Sequence, residues 1–444
     1  MFFTFIISYD TLKTITNARR TAMYKITKRI GILLSLCLFL CGCGKKEQTP
    51  VEITLLHGWG GTLQTHRVMQ EIYQEFQDEN PDIVFTCIAS SDSSIAVDNA
   101  NELLAVGKTP DIVSTNGLSY YVSNAIELKE ALDLMPYIEK DPDFAKMIHS
   151  QVLEIWTTED GHIYTLPDAL EVMGYWYNAE LLRKAGYGEN GKAMPDTWDA
   201  FYTMCDDVEK ILTDEEAVVR LEETQVSENF FYARLRGDRE LEDLGHPTLA
   251  QCVNSPAFEH SVDAIEKLYF YSVNADNLET ARENFVNGKT ALYFNGIWES
   301  QVLSESSGEF EFACYPTDSG KSLVYVSPSS GYLIAKHEDE RKNEACIRFL
   351  KYILSEETQE KLAVESDQAP ENPMLDSERL YEENPLLGKA LEKANTADIQ
   401  IISLSTEWGS QAANILNTFL NGNSIDLEKT EILKEKLLEL STEN

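Results

Sequence analysis

Residues 51–62 read VEITLLHGWGGT. Val51-Glu52-Ile53-Thr54 alternates apolar and polar, then runs into Leu55-Leu56, the pattern of a strand that ends in a core. A glycine-rich loop follows. From Thr65 the period changes: Val68, Ile72 and Phe76 recur every four residues, which predicts a helix ending before Asn80-Pro81. Asp82 to Ala89 (DIVFTCIA) reads as a second strand, the segment near 95–106 as a second helix, and Asp111 to Ser114 as a third strand. Strands alternating with helices predict an α/β domain with a largely parallel sheet. Ligands of such sheets sit beyond the carboxyl ends of the strands, so the loops 57–62 and 115–119 are candidate binding positions.

Further along, 196–290 is mostly helical in pattern. Asp263 to Tyr271 is an amphipathic stretch with Ile265, Leu268 and Tyr269 on one face. Residues 290–294 (TALYF) read as a short strand. The tail 424–441 reads as a surface helix with Ile432, Leu433, Leu437 and Leu438 turned inward. No internal repeat is evident.

The N-terminus carries an address. Lys25, Lys28 and Arg29 precede an apolar core from Ile30 to Leu40, about a dozen residues, well short of the roughly 20 of a membrane-spanning helix. A basic flank, a short apolar core and small residues before a cut describe a secretory signal. Leu40-Cys41-Gly42-Cys43 resembles the bacterial lipobox, in which the cysteine after the cut receives a diacylglycerol. Cys43 fits that position: Leu40 lies three before it and Gly42 directly before it. Cys41 has a bulky leucine where the cut would fall. Residues 1–42 are therefore expected to be a signal peptide, with Met23 as the better start, and 43–50 a lipidated tether. Two or three acyl chains on one cysteine anchor stably, whereas one is marginal.

The chain has 37 basic and 74 acidic residues, a net charge of −37. Residues 1–42 hold six basic and one acidic, so the remaining 31 and 73 leave −42. Such a chain repels phosphate backbones and anionic headgroups, which argues against nucleic acid and leaves the lipid as the expected membrane contact. The roughly 400 residues after the signal suffice for two domains with real cores. Cys87, Cys205, Cys252, Cys314 and Cys346 are odd in number, widely spaced and without a CxxC, so neither a disulfide framework nor a zinc site is expected.

Several segments together resemble the extracellular solute-binding proteins of ABC importers, in the family (family 1, maltose-binding-protein-like) that carries sugars and oligosaccharides. These are Tyr164-Thr165-Leu166-Pro167 with Tyr175-Trp176-Tyr177-Asn178; Pro195-Asp196-Thr197-Trp198 leading to Phe201; Phe285 to Leu292 followed by Asn295-Gly296-Ile297-Trp298; and Ser330 to Ala335 with Glu344-Ala345 and Phe349-Leu350. Each is weak alone; their order and spacing span nearly the whole mature chain. The resemblance implies a two-lobed periplasmic-binding-protein-like fold (class II), its lobes joined by strands crossing near 167–171, 291–294 and 328–332. The expected lobes are 51–168 plus 292–328, and 169–291 plus 329–444. Solute would lie in the cleft, closed by hinge bending.

Sugar sites stack aromatics on apolar ring faces and aim fixed polar groups at hydroxyls. The candidates are Trp59 with Gly60 and Gly61 in the first loop, Asn116 after the third strand, Glu171 and the weaker Asp168 at the first crossing, and Trp176. They continue with Asn295 and Trp298 after the second crossing, Gly331 and Tyr332 at the third, and Trp408 in Ser405-Thr406-Glu407-Trp408-Gly409. Trp156 and Trp198 are expected to be structural, and His57 and His66 incidental. The first loop has no basic residue, which favours a neutral mono- or oligosaccharide. The resemblance implies no cofactor, an ABC permease as partner, an extracellular lipid-anchored location, and a monomer.

The competing readings share parts of this evidence. A polyamine or peptide would suit an acidic cleft, and a sensor could use the same fold. An anchored glycoside hydrolase would need two carboxylates at a set separation, a signal that is empty in so acidic a chain. No G-x-S-x-G, H-E-x-x-H or P-loop is present.

Overall fold

The alternation that opens the chain is realised strand by strand in a computed structural model. It describes residues 49–443 except 117–118, 159, 189, 222–229, 329, 376 and 421–426. The expected signal peptide, 1–42, and the expected lipidated Cys43 lie outside the described residues. In chain order the strands are β1 (Val51–His57), β2 (Ile83–Ala89), β3 (Ile112–Asn116), β4 (Thr165–Pro167), β5 (Ala169–Met173), β6 (Tyr175–Asn178) and β7 (Ala217–Leu221). Then come β8 (Ser272–Asn274), β9 (Thr290–Tyr293), β10 (Phe310–Ala313), β11 (Leu323–Pro328), β12 (Ser330–Ile334), β13 (Ala369–Pro370) and β14 (Ile399–Ile401). They form three sheets, ordered β2-β1-β3-β12-β4, β10-β6-β9-β7-β8 and β13-β5-β11-β14.

In the first sheet β1 lies parallel to both β2 and β3, as the sequence leads one to expect. Its two faces bury different residues because side chains alternate along a strand. Leu56, Val113 and Leu333 pack on one side with Val97, Ala100 and Tyr121. Ile53, Leu55, Ile112 and Tyr332 pack on the other with Val68, Ile72 and Phe76 of helix Gln64–Glu79 and Phe349 of helix Glu340–Ile353. The same alternation governs β6: Tyr175 and Tyr177 belong to one core and Trp176 to the other.

Two strands join the sheets. β4, Asp168 and β5 run antiparallel to β11 and β12. The pairs Leu333↔Thr165, Tyr332↔Leu166 and Gly331↔Pro167 lie in one sheet. The pairs Pro328↔Leu170, Ser327↔Glu171, Val326↔Val172 and Tyr325↔Met173 lie in another. Between them the Asp168 N–H donates to the Ser330 carbonyl at 3.0 Å. The register never slips, so this is one two-stranded ribbon passing from sheet to sheet. These are the first and third expected crossings.

Some sequence expectations differ from the observed pairings. The expected second crossing, 291–294, falls on β9 (Thr290–Tyr293) and the residue after it, and β9 pairs within the second sheet, between β6 and β7. Sheet membership also differs from the expected lobe boundaries. β10, allotted to the first lobe, pairs with β6 of the second sheet. β12, allotted to the second lobe, is inserted between β3 and β4 of the first. In the C-terminal helix Leu427–Glu443, Leu433, Leu437 and Leu438 pack inward as expected and are joined by Leu440, while Ile432 is exposed. The amphipathic stretch at 263–271 is the end of a longer helix, Pro256–Phe270.

Candidate functional site

All four chain ends that matter leave one edge of the first sheet. β1 and β3 are parallel, so the loops after His57 and Asn116 emerge together. β12 is antiparallel to both β3 and β4, which puts Ser330 opposite Asn116 and places the crossing at Asp168 on that same edge. On the far side of the ribbon, β14 runs parallel to β11 and delivers the chain to Ser403. The Ser327 hydroxyl donates to Ser403 Oγ at 3.3 Å. Ser403 in turn caps helix Leu404–Trp408. Gly296 bridges to Met173 at the foot of the ribbon. Glu171, Ser327, Ser403 and the turn that carries Trp298 are thus gathered around the crossing.

Trp298 lies in the short turn Ile297–Glu299 and is partly exposed. Its ring covers Gly296 so closely that a Cβ added there would meet ring atoms at 2.2 to 2.5 Å, so only glycine fits beneath it. The turn stands on a buried polar anchor. Glu299 is fully buried and takes two bonds from Arg282, Nε to Oε2 and Nη2 to Oε1, both at 2.7 Å. Asn295 also belongs to this anchor: Nδ2 donates to Tyr293 Oη at 2.6 Å and Glu299 Oε1 at 2.9 Å, and Oδ1 accepts from the Gly296 N–H at 2.8 Å. Asn295 was expected to meet solute; its polar atoms instead hold the Trp298 turn.

Two more expected contacts are core residues. Trp176 is fully buried, its indole N–H donating to the Gly296 carbonyl at 2.8 Å and its ring edge-on to Phe312. Tyr332 is fully buried, edge-on to Phe349, and shares a 2.9 Å hydroxyl pair with Tyr73. Both faces of β6 and β12 are covered, so alternation there chooses between two cores and not between core and cleft. Gly331 is a packing position beside the Leu166 carbonyl. Trp408 is buried down to 9% exposure, edge-on to Tyr232, its N–H donating to the Pro247 carbonyl at 3.3 Å. Trp156 and Trp198 are buried, as expected of structural residues.

Trp59 keeps partial exposure. Its loop is fastened by the two histidines expected to be incidental. His57 Nδ1 accepts the Trp59 N–H at 3.1 Å, and His66 Nδ1 accepts the Gly61 N–H at 2.8 Å. The Gly60 N–H donates to the Ser90 carbonyl at 2.9 Å, and Gln70 Nε2 donates to the Trp59 carbonyl at 2.5 Å. Burial pushes His57 down to about 4, with the neighbouring His66 adding to the effect, and burial lowers His66 as well. Both rings are neutral at pH 7 and available as acceptors.

Asp168 is buried at the crossing. Burial pushes its carboxyl up to about 7, opposed by the Tyr332 hydroxyl. Glu171 is partly exposed, opposite Ser327. For Asn116 the structure fixes the backbone pairing with Ser330. Residues missed in the sequence are Ser327, Ser403, His57, His66 and the Arg282–Glu299 pair. Only Ser403 left a signal, a serine before a helix start.

Among the described residues no His, Cys, Asp and Glu group is placed to hold a metal ion, and no helix is long and apolar enough to cross a membrane. Of the described cysteines, Cys205, Cys252 and Cys346 are buried, Cys314 is half-buried and Cys87 is exposed, all as free thiols.

Residues 71–388 match the family model for bacterial extracellular solute-binding proteins. The chain belongs to that family. A search of curated proteins found no match. Among solved structures, the two-lobed fold is shared with a Streptococcus pneumoniae solute-binding protein in complex with the blood group A-trisaccharide. That pair has a TM-score of 0.73 at 22% identity, over 87% of this chain and all of the other. A chitin oligosaccharide binding protein gives 0.67 at 18% identity, over 89% of this chain and all of the other. UgpB from Mycobacterium tuberculosis, in complex with glycerophosphocholine, gives 0.68 at 16% identity, over 89% and 99%. The chain is thus an extracellular solute-binding protein of the two-lobed α/β type.

Proposed function

We propose that this family member binds a neutral mono- or oligosaccharide between its lobes and delivers it to the permease of an ABC importer. The observation that carries the reading is the contrast among tryptophans. Trp156, Trp176 and Trp198 are buried, whereas Trp59 and Trp298 keep part of their surface free at the edge where the ribbon crosses. An indole seated on a glycine, with Glu171 and the Ser327–Ser403 pair nearby, offers an apolar face and polar groups to one ligand. Asn116 ends β3 opposite Ser330 on the first-sheet side, and Trp408 offers at most an edge.

The lobes in this reading follow sheet membership. One is built on the first sheet, including β12 and helix Glu340–Ile353. The other is built on the second sheet, including β10, and the ribbon is the hinge. Cys43 carries the lipid that holds a monomer at the outer face of the membrane. Cys43→Ala should release the protein from the membrane fraction; retention would identify the apolar segment as the anchor.

A second solute class is favoured by one observation: a relative of the same fold is in complex with glycerophosphocholine, a phosphodiester. The first loop, Gly58 to Thr62, offers no cation to a phosphate. A thermal-shift panel of chitin oligosaccharides, blood-group-type trisaccharides, glycerophosphocholine, polyamines and peptides decides between the classes. A ligand at 100 times its Kd adds about 2.7 kcal/mol. A rise with a sugar series that is lost in Trp298→Ala supports the proposal. A rise with a non-sugar alone overturns its carbohydrate part.

A further inference from the structure

The first loop has no secondary structure of its own between Gly58 and Thr62, yet Trp59 must be held still to serve as a stacking surface. Loops that do not bond to themselves are placed by what their backbone N–H groups find. Here the Trp59 N–H finds His57 Nδ1 at 3.1 Å, two residues back. A lone pair at Nδ1 requires that this nitrogen carry no proton, so the ring is the neutral tautomer with its proton on Nε2. We propose that His57 is the positioning residue of the solute-facing loop, its unprotonated Nδ1 setting the backbone at Trp59 and thereby the pose of the indole.

Three observations support this assignment. First, His57 is itself immobilised. It is 1% exposed, its carbonyl accepts the Ser90 N–H at 2.8 Å, and its ring packs on Tyr73 with centroids 5.0 Å apart. Second, the groups that face it keep it neutral. His66 and Tyr73 come from helix Gln64–Glu79, and among the described residues no carboxylate is bonded to the ring to draw a second proton. Third, His57 is tied to the crossing. Tyr73, packed against its ring, shares the 2.9 Å hydroxyl pair with Tyr332, whose hydroxyl opposes the effect of burial at Asp168. A displaced His57 would disturb the floor on which the ribbon crosses as well as the loop. His66 does for Gly61 what His57 does for Trp59, from the helix side.

The inference rests on the reading that Trp59 faces the solute, so its test has an arm that needs no ligand. His57→Asn keeps an acceptor oxygen near the place of Nδ1, whereas His57→Leu keeps the bulk and removes the acceptor. In the purified protein, hydrogen exchange at the Trp59 amide is expected to quicken at least tenfold in His57→Leu and to return toward wild type in His57→Asn. Histidine-ring NMR is expected to show Nδ1 unprotonated at pH 7. Equal exchange in all three proteins, or a proton on Nδ1, overturns the assignment whether or not any solute binds. The second arm measures Kd by calorimetry for a chitin oligosaccharide and, in parallel, for glycerophosphocholine. About tenfold weaker binding in His57→Leu with recovery in His57→Asn supports the positioning role. Binding that is unchanged in His57→Leu overturns it. If neither probe binds wild type, the proposed solute classes fail and the exchange arm alone judges His57.

Discussion

Asp168→Asn tests the ribbon most directly, because the carboxyl sits where the two sheets hand the chain over. In the folded protein burial holds it at about 7, against 3.8 in the open chain, a gap of about three pH units. Each unit is worth 1.36 kcal/mol, so the ceiling is about 4 kcal/mol. Below the open-chain value both states hold the proton and the favourable contribution is complete. As pH rises from about 4 to about 7 the unfolded chain loses its proton while the folded one keeps it. Stability falls through that window and levels off above it. The amide of Asn never ionises. At pH 8 the variant is therefore expected to be about 2 kcal/mol more stable than wild type, half the ceiling because its new N–H group must find a partner in a buried place. At pH 4 the ionisation gain is absent while the cost of the buried N–H group remains, so the variant is expected to be about 2 kcal/mol less stable than wild type. Urea unfolding at half-unit pH steps, followed by tryptophan fluorescence, measures this difference. Asp367, pushed up to about 7 by burial, and Glu371, raised well above its usual range, titrate in the same direction. The wild-type profile alone is thus a composite, and the difference between the two proteins isolates Asp168. A variant no more stable than wild type at pH 8, or equally favoured at pH 4 and pH 8, would refute the reasoning.

Trp298→Ala should abolish the ligand-induced thermal shift while costing the empty protein less than a core truncation of about 3–5 kcal/mol, a split that melting curves with and without solute will show. Arg282→Ala strips the fully buried Glu299 of its two 2.7 Å bonds and should cost about 3–5 kcal/mol in urea unfolding, with solute affinity falling as the Trp298 turn loosens. Gly331→Ala puts a Cβ 2.5 Å from the Leu166 carbonyl and should cost about 1–3 kcal/mol; an unchanged midpoint would mean the ribbon can part to admit it. Tyr332→Phe removes the hydroxyl that opposes burial at Asp168, so the pH window of the preceding experiment should move upward relative to wild type.

The first sheet was readable because its cues are local. Val68, Ile72 and Phe76 at four-residue spacing mark a helix with one face buried on the sheet and the other exposed, and β1 changes from alternating to apolar where it enters the core. The segment Pro195 to Phe201 was legible only through the family resemblance; in the structure it opens a helix, with Thr197 accepting the Ala200 N–H at 3.4 Å and Trp198 turned inward. What failed was non-local. Nothing near Ser330 says that it will lie opposite Asn116, more than two hundred positions earlier. The candidate site suffered from a related ambiguity. Trp176 and Tyr332 sit on strands covered on both faces, where hydrophobic pattern carries no direction. Asn295 was a candidate for its place after the expected second crossing; in the structure Tyr293 and Glu299 hold its side chain. His57 was passed over because an imidazole that serves as a backbone acceptor leaves no trace in spacing.

The unbroken register of the crossing has a consequence for how such a chain can change over time. A loop at the rim can gain or lose a residue and alter only its own outline. A single insertion in 165–173 or 323–334 would shift one strand by about 3.3 Å and turn every following side chain to the opposite face. Tyr325 and Val326 would trade cores, and the groups at the crossing would turn to the wrong sides of the ribbon. The crossing is thereby also the ruler of the molecule: rim loops are free to drift in length, while the distance along the chain between the sheets it joins is fixed.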